Sequence, residues 1–128
     1  MILITGGAGF IGSHTSVALA ECGEPFLILD NFANSRTSVL ARMGQITGAV
    51  PQCVEGDIRD GALLRRIFSQ YPISAVIHFA ALKAVGESMQ EPLRYYDNNI
   101  AGTVTLLQAM REANVRTLVF SSSATVYG

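Results

Sequence analysis

Little of this chain is charged. Of its 128 residues only 15% are Asp, Glu, Lys or Arg, and nine basic against ten acidic residues leave a net charge of −1. It has no basic run, so there is no electrostatic ground for expecting nucleic acid or a membrane surface as partner. Cysteine is scarce too. Cys22 and Cys53 stand apart with no C-x-x-C. Neither has ligand-spaced neighbours, so no metal or disulfide is expected, and both read as reduced thiols of a cytoplasmic protein. Long hydrophobic runs are missing, and the opening apolar stretch is far too short for a signal peptide or a membrane span. No repeat of solenoid length and no low-complexity linker interrupts the chain, which leaves one domain's worth of sequence over residues 1–128.

What is abundant is apolar surface, 49% of residues, as in a domain that hides strands on both faces. The first such run, Ile2-Leu3-Ile4-Thr5, breaks into Gly6-Gly7-Ala8-Gly9-Phe10-Ile11-Gly12. Gly6, Gly9 and Gly12 follow G-x-x-G-x-x-G, and Gly7, Gly9 and Gly12 also satisfy G-x-G-x-x-G. Glycine is needed there for a tight turn, for backbone approach to a pyrophosphate, and for close packing of helix on strand. The phosphates would lie over free amides at the positive end of the helix macrodipole. A glycine-rich turn without a ligand is the plainer alternative, so the context has to decide. Phe26-Leu27-Ile28-Leu29 is a second buried-strand run, and it ends in Asp30. A carboxylate roughly 20 residues past the glycines is placed to accept hydrogen bonds from an adenosine ribose. It would repel a 2′-phosphate, so the cofactor expected is NAD, although Arg36 lies close by.

Strand-like runs alternate with helix-length segments along the whole chain, the pattern of a parallel α/β sheet. Strands are expected at 2–5, 26–30, 51–55, 74–79 and 117–120. Helices are expected at 10–22, with Gly23 ending the first, at 37–46, after an N-cap at Asp60 with Leu63, Leu64, Ile67 and Phe68 on one face, and at 92–113. The last carries Leu93, Tyr96, Ile100, Val104, Leu107 and Met110. Right-handed crossovers then give a Rossmann-type doubly wound sheet in the order 3-2-1-4-5, with ligands outside the strand carboxyl ends. The loops at 6–12, 30–35, 57–58, 79–83 and 121–127 all fall at that edge. His78, at a strand end, reads as a packed core histidine. Strand five runs into Ser121-Ser122-Ser123-Ala124-Thr125-Val126-Tyr127-Gly128 with no closing helix, which leaves Phe120 on an edge that needs cover.

Taken together, these residues resemble the extended short-chain dehydrogenase/reductase superfamily and, within it, the epimerases that interconvert UDP-glucose and UDP-galactose. The resemblance is carried by Thr5 to His14, Asp30-Asn31 with Asn34-Ser35, Gly56-Asp57-Ile58, His78 to Ser88, Tyr95 to Asn99, and Phe120 to Gly128. It implies a UDP-sugar substrate, NAD that takes hydride from the sugar C4 and returns it through a transient 4-keto sugar, and a homodimer built partly on the 92–113 helix. By the same resemblance, Phe10 and Ile11 would bring amides to the pyrophosphate. Asp30, Asn31, Phe32, Ala33, Asn34 and Ser35 would hold the adenosine, and Asp57 and Ile58 would meet the adenine. Phe79, Ala80, Ala81, Leu82 and Lys83 would line the nicotinamide-ribose side, with Asn98 steadying that wall and Ser123 bonding the sugar 4-oxygen as the catalytic residue.

One departure stands out. The superfamily's Tyr-x-x-x-Lys pair is absent: Tyr71, Tyr95 and Tyr96 are followed four residues on by Ala75, Asn99 and Ile100. The expectation is therefore an N-terminal part of such an enzyme, able at most to bind NAD. Two other readings differ in class. A sugar-nucleotide 4,6-dehydratase would carry Asp-Glu where Ala124-Thr125 stand. A non-catalytic dinucleotide-binding module would need no Tyr-x-x-x-Lys at all.

Overall fold

The computed structural model describes residues 1–7, 10–31, 38–79 and 100–120, and of Phe10 and Ile11 only the backbone. The apolar run after Met1 forms β1 (Ile2–Thr5), followed by α1 (Phe10–Glu21), β2 (Phe26–Asp30), α2 (Ser38–Thr47), β3 (Cys53–Glu55), α3 (Gly61–Gln70), β4 (Ala75–His78), α4 (Gly102–Glu112) and β5 (Thr117–Phe120). The five strands make one sheet in the order β3-β2-β1-β4-β5, every neighbouring pair parallel. This is the expected Rossmann-like order, with β1 in the middle.

Alternation along the strands divides the core into two layers. Leu3, Leu27, Leu29 and Val76 pack with Leu64 and Ile67 of α3 and with Leu106, Ala109 and Met110 of α4. On the opposite face Ile4 and Ile28 are completely buried, and Gly7 at the approach to α1 lies against both. The N-terminus seals one end: the Met1 amine donates to the Pro72 carbonyl at 3.1 Å, and Ser74 N–H donates to the Met1 carbonyl at 2.9 Å.

Helix ends follow local chemistry. At α1, Gly23 adopts φ +75°, Gly23 N–H bonds the Ala20 carbonyl and Glu24 N–H the Leu19 carbonyl. This is a Schellman termination, and the left-handed residue it needs costs glycine little. Helix α4 stops the same way on a residue with a side chain. Asn114 takes φ +59°, and Val115 N–H reaches back to the Met110 carbonyl at 2.9 Å. At α3 the Asp60 carboxylate accepts from Leu63 N–H at 3.1 Å, the expected cap.

Some boundaries differ from expectation. Strand β3 begins at Cys53 rather than 51, because Pro51 has no N–H to give the ladder. Gln52 still offers its carbonyl to Ile28 N–H at 3.0 Å. Strand β4 is a residue shorter at each end, although Ser74 N–H and Phe79 N–H still bond the Met1 and Thr5 carbonyls of the neighbouring chain segment. The last helix begins at Gly102, after a π-helical turn at 100–101; residues 92–99 lie outside the described residues. Of its apolar residues, Met110 joins the core, whereas Ile100, Val104 and Leu107 stay 45–48% exposed. No helix among the described residues is long and apolar enough to cross a membrane.

Candidate functional site

The strand carboxyl ends converge in register. Thr5 pairs with His78, His78 with Phe120, and Asp30 with Glu55. Each is the last residue of its strand, so the loops that follow leave the sheet along one edge.

The glycine turn starts that edge. Gly6 takes φ +74°, and its N–H donates to the Leu29 carbonyl at 2.7 Å, folding the turn across the end of β2. A Cβ on Gly7 would stand 2.8 Å from Ile28 Cγ1 and 3.2 Å from Ile4 Cγ2. A Cβ on Gly12 would run into the Gly6 carbonyl oxygen and stand 2.9 Å from Gly7 Cα. The start of α1 therefore lies directly on the backbone of the turn, an approach only glycine allows. Phe10 and Ile11 open the helix, where amides have no intrahelical acceptor and meet the positive end of the dipole. Ser16, fully buried, donates to the Gly12 carbonyl at 2.8 Å and keeps its hydroxyl satisfied inside α1.

Asp30 closes β2 at 8% exposure, and its carbonyl accepts from Gly56 N–H at 3.0 Å. Asn31, next in sequence, is exposed. The field there is negative. The Cys53 thiol is pushed up to about 11, first by burial and then by the Asp30 and Glu55 carboxylates. Asp57 lies past β3, its carboxylate gripped by Arg59: Nη2 stands 2.6 Å from Oδ2 and Nε 3.0 Å from Oδ1, while the Arg59 N–H also bonds Oδ1 at 2.8 Å. The guanidinium's hydrogen bonds hold Asp57 below the usual carboxylate range, against the opposing effect of partial burial. Ile58 is 4% exposed and packs beneath Gly102, whose Cβ would stand 2.6 Å from Ile58 Cγ2. Its backbone, not its side chain, is what it can present at the edge. Phe79 is half-buried, and its N–H donates to the Thr5 carbonyl at 2.7 Å.

Of the remaining site residues expected from sequence, Gly9, Phe32, Ala33, Asn34, Ser35, Ala80, Ala81, Leu82, Lys83, Asn98 and Ser123 lie outside the described residues. The edge also holds side-chain contacts that sequence reasoning did not anticipate. His78 is 2% exposed, its Nδ1 2.6 Å from Thr5 Oγ1 and its Nε2 3.3 Å from Thr103 Oγ1, with the Phe120 ring 5.3 Å away and tilted by 40°. The packed core histidine expected there is present, but its two threonine partners carry no local signal. Among the described residues no group of three or more His, Cys, Asp or Glu side chains could hold a metal.

A turn that only glycine can form, amides at a helix start, and a nearly buried aspartate ending the neighbouring strand together fit a dinucleotide with an unphosphorylated ribose. Known proteins bear on the same point. The pattern of the NAD dependent epimerase/dehydratase family matches residues 2–128. UDP-glucose 4-epimerases from Yersinia pestis and Haemophilus influenzae are 61% and 58% identical over 127 residues, which is 99% of this chain and 38% of each relative. Among solved structures, the UDP-glucose 4-epimerase of Stenotrophomonas maltophila, with bound NAD and formylated UDP-arabinopyranose, superposes with a TM-score of 0.94 at 53% identity. The Bifidobacterium longum enzyme, in complex with NAD+ and UDP, does so at 0.93 and 50%. Both alignments cover 99% of this chain and 38% of the other. The chain thus spans well under half the length of the relatives it matches.

Proposed function

This chain belongs to the NAD dependent epimerase/dehydratase family, and from that premise we propose that it forms the NAD-binding part of an enzyme interconverting UDP-glucose and UDP-galactose. The observation that carries the reading is the seat of Gly12 on the Gly6 carbonyl beside Asp30 at the end of β2. A pyrophosphate would lie over the amides of Phe10 and Ile11 at the start of α1, and Asp30 would take the ribose hydroxyls. The carboxylates of Asp30 and Glu55, partners in register at the ends of β2 and β3, oppose a 2′-phosphate and favour NAD over NADP. Asp57, held ionised by Arg59, is a ready acceptor for the adenine amine. Bound NAD supplies a hydride acceptor and donor for the sugar C4.

The loop after Phe79, with Ala80, Ala81, Leu82 and Lys83, and the segment with Asn98 would complete the nicotinamide side. Ser123 would hold the sugar 4-oxygen. Proton transfer at that oxygen calls for an activated base, and no Tyr-x-x-x-Lys pair occurs within residues 1–128. The chain is therefore proposed to bind NAD without turning over UDP-sugars. The names and identities of the relatives favour this over a dehydratase.

Titration calorimetry on the 128-residue chain tests the reading. NAD should bind more tightly than NADP, and Asp30→Ala should weaken NAD by roughly ten- to hundredfold, the usual worth of hydrogen bonds to a charged acceptor. Equal affinity of the parent and the variant for NAD would overturn it.

A further inference from the structure

We infer that His78 is the positioning residue that keeps the exits of β1 and β4, between which the proposed cofactor would lie, in register. Four elements meet at its ring. Nδ1 holds Thr5 at the end of β1 and Nε2 holds Thr103 in the first turn of α4, while the ring itself closes β4 and rests against Phe120 at the end of β5. Both Thr5 and the imidazole are almost wholly buried, at 0% and 2% exposure. A residue needed only to fill this volume would be apolar. An imidazole with two ring nitrogens on two hydroxyls instead fixes where the backbones on either side of it stand, because each hydroxyl can donate or accept to match either tautomer.

What lies immediately beyond those backbones is the reason this matters. Thr5 precedes Gly6, whose N–H is pinned to Leu29, and His78 precedes Phe79, whose N–H is pinned to the Thr5 carbonyl. The ring thus couples the turn that would take the pyrophosphate to the loop that would take the nicotinamide ribose. A shift of either exit would move Gly6 and Phe79 relative to one another.

Hydrogen exchange on the full 128-residue chain separates positioning from filling. His78→Leu keeps the volume and removes both nitrogens, whereas His78→Asn retains a polar atom where Nδ1 stands. In the leucine variant, exchange at the Gly6 and Phe79 amides should accelerate at least about tenfold beyond any change at the core-strand amides of Leu3 and Val76, since a local opening spares the rest of the sheet. The asparagine variant should restore both to within about threefold of the parent. Uniform acceleration at all four amides, or no rescue by asparagine, would overturn the inference. Thr103→Val removes the link to Nε2 and guards against an unfolded leucine variant. It should raise exchange at Phe79 above that at Val76, and equal rates at both would count against the role. Resting on the NAD reading above, affinity for NAD should fall in His78→Leu and recover in His78→Asn. A parent chain that binds no NAD while its amides behave as expected would sink that reading and leave the positioning role standing.

Discussion

A single methyl group on Gly12 would have to occupy the place of the Gly6 carbonyl oxygen. Backbone cannot step aside as a side-chain tip can, so Gly12→Ala should cost about 1–3 kcal/mol of stability as overpacking and abolish NAD binding. Gly61→Ala is its control. The nearest atoms to a Cβ there are 3.5 Å away, on Arg65 and Thr105, so that substitution should be neutral or gain about 0.4–1 kcal/mol by stiffening the unfolded chain. Urea denaturation of the two variants reads both effects. The cysteines make a second contrast. Cys22 is exposed, and Cys53 is partly buried and pushed up to about 11. Because the thiolate is the nucleophile, a disulfide reagent in mildly alkaline buffer should label Cys22 promptly and Cys53 slowly. Labelling of Cys53 should accelerate only as the pH climbs toward 11. Equal rates would show that neither burial nor the Asp30 and Glu55 carboxylates hold the Cys53 thiol protonated.

Which of these residues could be read from sequence depends on how local their chemistry is. Gly12, Asp30 and Asp60 act within a turn, a strand end and a cap, all of which have short-range signatures. The Thr5–His78–Thr103 arrangement joins residues 73 and 25 positions apart in the chain. No spacing rule brings hydroxyls that far apart onto one ring; the sheet register places Thr5 and the packing of α4 places Thr103.

At the scale of elements, strand runs were legible because each is a continuous apolar stretch closed by glycine or a polar residue. Their ends were less so, as Pro51 shows by delaying β3. Helix α4 illustrates the limit of reading an apolar pattern. Its apolar residues serve two faces: Leu106, Ala109 and Met110 enter the core, while Val104 and Leu107, with Ile100 in the turn just before the helix, recur at helical spacing and stay 45–48% exposed. Periodicity reveals a second apolar stripe but not what covers it. If the stripe packs against another helix, as the homodimer expectation has it, Val104→Glu combined with Leu107→Glu should lower concentration-dependent association in sedimentation velocity. The melting temperature should change little, because neither side chain is in the core. Unchanged sedimentation would remove the stripe from any interface.

For the molecule as a whole, the alternation of strands and helices with right-handed crossovers was enough to deduce the order β3-β2-β1-β4-β5. That order places the first strand of the chain at the centre of the sheet, with a consequence for its birth on the ribosome. One flank of β1 can pair as soon as β2 appears. The other waits for β4, whose His78 lies 73 residues beyond Thr5. At a synthesis rate of roughly 5–20 residues per second, that wait lasts roughly 4–15 seconds. Once β2 has appeared, Ile2, Leu3 and Ile4 sit for the rest of it on an open, half-paired ladder, the kind of nascent segment that chaperones at the tunnel exit intercept.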